Sequence, residues 1–177
     1  MIEEREFTYD AFICYSATDS RWVVDQLRPR LEVEDQLRLC IHQRDWIAGR
    51  DIVDNVVDSI ENSRKTVLIV SNAFARSQWC HFEMTMAQSR LIRDDRDSLV
   101  LVVLEEIAEQ YLTTRLRLQL ARRTYVEWIS DSAIGQQLFW AQLRRALAAP
   151  STSVLQGDIP TMTGFALRSG GGQWASS

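Results

Sequence analysis

Leu37-Arg38-Leu39-Cys40-Ile41-His42-Gln43-Arg44-Asp45-Trp46-Ile47-Ala48-Gly49-Arg50-Asp51-Ile52 is the stretch whose reading decides the fold. Its first part is an apolar run that reads as a buried strand over 37–42. Beyond it, Ile52, Val53, Val56, Val57 and Ile60 fall at helical spacing, which turns one face of a helix over 52–62 toward a core. The residues between are a strand-to-helix loop. In an open α/β sheet such loops lie at the edge where binding sites form. The chemistry of this one is unusual. Trp46 and Ile47 stand among Arg44, Asp45, Arg50 and Asp51, with Gly49 for a turn. Asp51 is placed to cap the helix that follows. Two readings stay open: Trp46 and Ile47 fold back onto the domain, or the loop protrudes as a recognition element.

The same alternation runs outward in both directions. Strands are expected over 9–15, 66–70 and 99–104, with a short edge strand over 125–128. The run Thr66-Val67-Leu68-Ile69-Val70 is continuously apolar, as a strand covered on both faces should be, and Ser71 and Asn72 end it. A helix over 20–33, capped by Thr18 or Asp19, carries Trp22, Val23, Leu27 and Leu31 on one face. Pro29 should kink it or end its regular part near Arg28. Ser77 looks like the N-cap of a helix over 78–93, with Trp79, Phe82, Met84 and Met86 inward. Arg93-Asp94-Asp95-Arg96-Asp97 reads as a solvated connection, and 105–121 as short helical turns. A last helix over 134–148 turns Leu138, Phe139, Leu143 and Leu147 inward, with Trp140 packed on the sheet. Strand and helix alternating in this way imply a parallel sheet covered on both faces.

Length and composition bound the rest. A chain of 177 residues with 46% hydrophobic and 25% charged residues is long enough for one domain with a sizeable core. A net charge of −4 argues against nucleic-acid binding, which needs a basic face. Lys65 is the sole Lys, so the basic residues are nearly all Arg, a residue suited to protein interfaces. Cys14, Cys40 and Cys80 make an odd count, two of them inside apolar strands, which points to reduced buried thiols in a cytosolic setting. Cys40-x-His42 and Cys80-His81 fit no standard zinc spacing. No apolar run is long enough to span a membrane, and the N-terminus has no signal-peptide pattern. Residues 1–8 read as a flexible segment, 9–149 as the domain, and 150–177, rich in Ser, Thr and Gly, as a disordered tail.

Tyr9-Asp10-Ala11-Phe12-Ile13-Cys14-Tyr15-Ser16, then Leu39-Cys40-Ile41-His42-Gln43-Arg44-Asp45-Trp46-Ile47-Ala48-Gly49, then Phe139-Trp140 resemble the three-box pattern of the TIR domain. In detail they are similar to the cytoplasmic domains of Toll-like receptors, over about 9–148. One departure is Ala48, where those receptors typically carry proline. The resemblance implies a flavodoxin-like three-layer domain, with a central five-stranded parallel sheet and helices on both faces. It implies an innate-immune signalling module on the cytoplasmic side of a receptor, which binds other TIR domains and adaptors of the myeloid-differentiation type. The contacts it implies are Arg44, Asp45, Trp46, Ile47, Ala48, Gly49 and Arg50, with helix 78–93 and Cys80 as a second surface.

Catalytic readings fare less well. The TIR family also contains enzymes that cleave nicotinamide from NAD, and Glu83 occupies the place of their catalytic glutamate in a similar Trp-Cys-x-x-Glu pattern. A carboxylate early in a helix is also favourable for the dipole alone. No Gly-rich phosphate loop accompanies it, so no cofactor is implied and Glu83 reads as structural. A phosphoacceptor domain of the same topology needs acidic residues where Ser16 and Ser71 stand. His42 and His81 have no evident nucleophile with an orienting acid.

Overall fold

The computed structural model describes residues 6–77, 79, 98–122 and 124–150. Five parallel strands form one sheet in the order β2-β1-β3-β4-β5. They are β1 (Tyr9–Cys14), β2 (Leu39–Ile41), β3 (Ser63–Val70), β4 (Leu99–Val103) and β5 (Val126–Glu127). As expected, β5 is an edge strand, and β2 forms the other edge.

Side chains alternate between the two faces of a strand, and both faces are covered. On one face Ala11, Ile13, Val67, Ile69, Val100 and Val102 meet Val23, Leu27 and Leu31 of helix α1 (residues 17–34). Phe139, Trp140, Leu143 and Leu147 of helix α6 (Ala133–Ala148) complete that layer. On the other face Phe12, Cys40, Leu68, Val70, Leu99 and Leu101 meet α3 (Ile52–Glu61), α4 (Asn72–Ser77) and α5 (Thr114–Arg122). The residues facing the strands there are Val56, Ile60, Phe74, Ala75 and Leu116, with Trp79. This is the flavodoxin-like three-layer arrangement that the resemblance implies, with the sheet covered on both faces as the alternation of strand and helix requires.

Several local expectations are corrected. Neither Thr18 nor Asp19 caps α1: Ser16 does, accepting the Thr18 N–H at 3.4 Å. Pro29 does not mark the end of that helix's regular part, which comes earlier, after Trp22. The chain runs from a 3₁₀ turn (Ala17–Asp19) through an α turn (Ser20–Trp22) into two π segments, Val23–Leu27 and Pro29–Glu34. Proline lacks the N–H that would close an α turn, and the bonds on either side of it are five residues apart, Arg28 N–H to Val23 O before it and Asp35 N–H to Arg30 O after it. Ser77 is no N-cap but a helical residue of α4, its hydroxyl donating to Ala73 O at 2.7 Å. The 105–121 region does contain short turns, a 3₁₀ turn at Glu109–Tyr111 and then α5. Helix 78–93 beyond Trp79, the 93–97 connection and the tail beyond Pro150 lie outside the described residues.

Two residues expected inward point out. Ile52 is 57% exposed and Leu138 is 57% exposed. In α6 the buried face is set by Phe139, Trp140, Leu143 and Leu147, and Leu138 falls just off it. Phe139 and Trp140 join Trp22 and Trp128 in a cluster of mostly edge-to-face rings, with Trp128 and Phe139 centroids 5.0 Å apart. Two adjacent residues therefore have very different energetic weight. Phe139→Ala removes a fully buried ring and should cost about 3–5 kcal/mol in urea unfolding. Leu138→Ala should stay within about 0.5 kcal/mol of the parent. Equal losses at both positions would contradict this orientation of α6.

Candidate functional site

The loop after β2 begins with a single helical turn, α2 (His42–Asp45), which the sequence did not signal. Asp45 folds that turn back onto the strand. Its Oδ2 accepts the Ile41 N–H at 2.8 Å, and its two oxygens take Nε and Nη2 of Arg44 at 2.9 and 3.0 Å. Arg44 reaches further, donating to Leu39 O at 2.7 Å and to Glu32 on α1 at 3.2 Å. Glu32 also accepts Arg28 Nε at 3.0 Å. One guanidinium thus ties the end of β2, the loop and α1 together, through bidentate geometry that only Arg supplies.

The ionisation of this cluster follows from its contacts. Burial pushes the Asp45 carboxyl up, but hydrogen bonds from Arg44 and the Ile41 N–H outweigh it and hold the group below its ordinary 3.8. At Glu32 burial is likewise outweighed by hydrogen bonds from Arg44 and Arg28, below its ordinary 4.5. His42 lies between Tyr15 and Trp46, with ring centroids 4.4 and 5.2 Å away, and burial lowers its pKa.

Trp46 folds back, the first of the two readings. Its Nε1 donates to Ser59 Oγ on α3 at 3.0 Å, and its ring lies 6.4 Å from Phe12. Ile47 takes the other course and is 60% exposed. The chain then turns through Ile47-Ala48-Gly49-Arg50, closed by Arg50 N–H to Ile47 O at 3.4 Å. Gly49 has φ +84°, so this is the geometry of a type II turn, which needs glycine at the third position and favours proline at the second. Arg50 pairs with Asp58 on α3. Asp51 caps α3 as expected, accepting the Val53 N–H at 2.8 Å. The structure therefore brings Arg44, Asp45 and Trp46 together as an inward anchor and leaves Ile47, Ala48 and Gly49 outward. Cys80 and Glu83 lie outside the described residues.

The crevice at the carboxyl ends of β1 and β3, where the strand order reverses, is occupied by the chain's own polar groups. Ser71 Oγ donates to Asp19 at 2.6 Å and accepts the Phe74 N–H at 3.0 Å. Asn72 is tied through Glu105, Glu106 and Ala108. Burial, with Glu105 nearby, raises the Asp19 carboxyl despite the Ser71 hydrogen bond. The two described thiols are free, and burial pushes Cys14 up to about 12 and Cys40 up to about 11. Among the described residues no three His, Cys, Asp or Glu side chains gather as a metal site, and no helix is long and apolar enough to cross a membrane.

A parallel five-stranded sheet with an anchored loop after its second strand defines the class of domain. The chain belongs to the TIR domain family, whose pattern it matches over residues 8–164. It is 42% identical to Toll-like receptor 13 of Mus musculus over 148 residues, which is 81% of this chain and 15% of that receptor. It is 41% identical to Toll-like receptor 2 of Mus musculus over 147 residues, 81% of this chain and 19% of that receptor. Among solved structures it is similar to the TIR domain of the Toll-related receptor TRR-2 from Hydra magnipapillata, with TM-score 0.60 and 25% identity, over 79% of this chain and 98% of that one. The chain thus spans less than a fifth of the length of these two curated relatives.

The anchor makes a pH prediction. Both carboxyls have folded values below their ordinary ones, so their contribution is present above 3.8 and 4.5 and is lost as pH falls through the folded values. Asp45→Asn should be about 2 kcal/mol less stable than the parent at neutral pH. That gap should close as pH falls below about 4. Thermal or urea unfolding across this range checks it, and a gap independent of pH would contradict the ionic role of Asp45.

Proposed function

We propose that this chain is a signalling module of the Toll-like receptor type, placed on the cytoplasmic side of a membrane. It associates with other TIR domains, both with its own kind and with adaptors of the myeloid-differentiation type, through loop 43–51. The observation that carries this reading is a large apolar side chain, Ile47, held in solvent on a loop whose base is fixed by Arg44, Asp45 and Trp46. A loop ordered in advance loses little entropy on binding, so an exposed apolar tip there is worth more than one on a mobile segment. In this proposal Ile47, Ala48, Gly49 and Arg50 meet the partner, while Arg44, Asp45 and Trp46 hold the platform. Helix 78–93 with Cys80 remains a second proposed surface. Catalysis is not part of the proposal. The sequence lacks a phosphate-cradling glycine loop, and the polar groups at the crevice are engaged with one another.

Association measured by sedimentation, alone and with an adaptor TIR domain, tests this. Ile47→Asp puts a charge where burial is required and should weaken association about tenfold or more, with melting temperature unchanged. Ala48→Pro suits the second position of a type II turn and should strengthen association and stability by about 0.4–1 kcal/mol. Nicotinamide release from NAD should stay at background. Unchanged association of Ile47→Asp would remove the loop from the interface, and turnover abolished by Glu83→Ala would establish catalysis instead.

A further inference from the structure

The face of α3 turned toward the loop is not the one its apolar spacing implies. Asn55 and Ser59, one helical turn apart, are 7% and 5% exposed and lie beside Val56 and Ile60. Polar groups buried this deeply are costly unless hydrogen-bonded, and here their bonds lead to the loop. The Ser59 hydroxyl donates to Asn55 O at 2.7 Å, which fixes its proton and turns its lone pairs outward. Those lone pairs accept Trp46 Nε1 at 3.0 Å and Cys40 Sγ at 3.5 Å. Asn55 Nδ2 donates to Ile47 O at 3.3 Å. Two consecutive loop residues are therefore held by two positions of one helix, and the Arg50–Asp58 pair holds a third.

We propose that Ser59 and Asn55 are positioning residues for loop 43–51: by fixing the Trp46 side chain and the Ile47 carbonyl they set where Ile47 is presented to a partner TIR domain. This rests on the reading of the loop as the interaction element. It places part of the partner specificity on a helix that need not touch the partner. The surface it fits offers an apolar recess for Ile47 with a polar rim facing the Arg50–Asp58 pair. A change at 59 or 55 then alters affinity without altering any contacting residue.

The test measures association and melting temperature of the full chain for Ser59→Ala, Trp46→Phe, the double variant and Asn55→Ala, with Ile47→Asp as the control. Phenylalanine keeps a ring but has no N–H, so Trp46→Phe breaks the same bond from the loop side even where Ser59→Ala is poorly folded. Each single variant should weaken association about three- to tenfold. The double variant should be no weaker than Ser59→Ala alone, because Trp46→Phe removes a bond that Ser59→Ala has already removed. Hydrogen exchange at the amides of residues 46–50 should quicken in the same variants. Effects that multiply in the double variant would show that Ser59 does not act through Trp46. Lower melting temperatures with unchanged association of the folded protein would make both residues merely structural. If Ile47→Asp weakens association while the other variants do not, only this proposal falls. If Ile47→Asp has no effect, the loop reading falls and takes this one with it.

Discussion

The Asp45 carboxylate, accepting the Ile41 N–H and held by Arg44, is the contact on which the rest of the site depends. β2 is an edge strand of three residues, paired on one side only. Without Asp45 the chain would leave that strand with an unpaired N–H and no fixed direction. With it, the turn at His42–Asp45 closes, Arg44 reaches Glu32 on α1, and Trp46 is delivered to Ser59 on α3. The loop is thereby fastened to helices on opposite faces of the sheet, so its position is set by the whole three-layer arrangement.

The sheet supplies the rigidity behind this. β1 lies between β2 and β3, and its residues pack on both faces, Ala11 and Ile13 on one and Phe12 on the other. Displacing β2 would therefore disturb β1 directly. Interiors of this density do not deform gradually, so a loop fastened to such an edge has few alternative positions. Trp46, partly buried against α3, stands beside Ile47, which is exposed, so anchor and exposed tip fall on adjacent residues.

β4 and the second half of β3 were legible because they are buried on both faces and read as unbroken apolar runs, whereas the polar start of β3, Ser63 to Lys65, gave no such signal. The cap at Asp51 was legible because it depends on residues two positions apart, and Phe139-Trp140 because helical spacing and bulk alone turn that pair toward the sheet. What escaped has physical reasons. The Arg44–Glu32 pair joins residues 12 apart through tertiary packing, and nothing local announces it. Apolar spacing found α3 but misjudged its rotation, because Ser59 and Asn55 are drawn inward by hydrogen bonds to the loop and Ile52 is left outside. Pro29 obeyed a local rule only in part, since burial of Leu27 and Leu31 on either side keeps the helix running in a widened form. A loop has no periodicity, so the opposite directions of Trp46 and Ile47 could not be read from order alone.

If the anchored loop presents Ile47 to another TIR domain, association must cover the turn of residues 47–50. Hydrogen–deuterium exchange compared between dilute, unassociated protein and the associated state tests it most directly. The account predicts slow exchange at the Ile41 amide in both states, because Asp45 holds it, and added protection on association at the turn of residues 47–50. Added protection confined to other surfaces, with exchange at 47–50 unchanged, would contradict it.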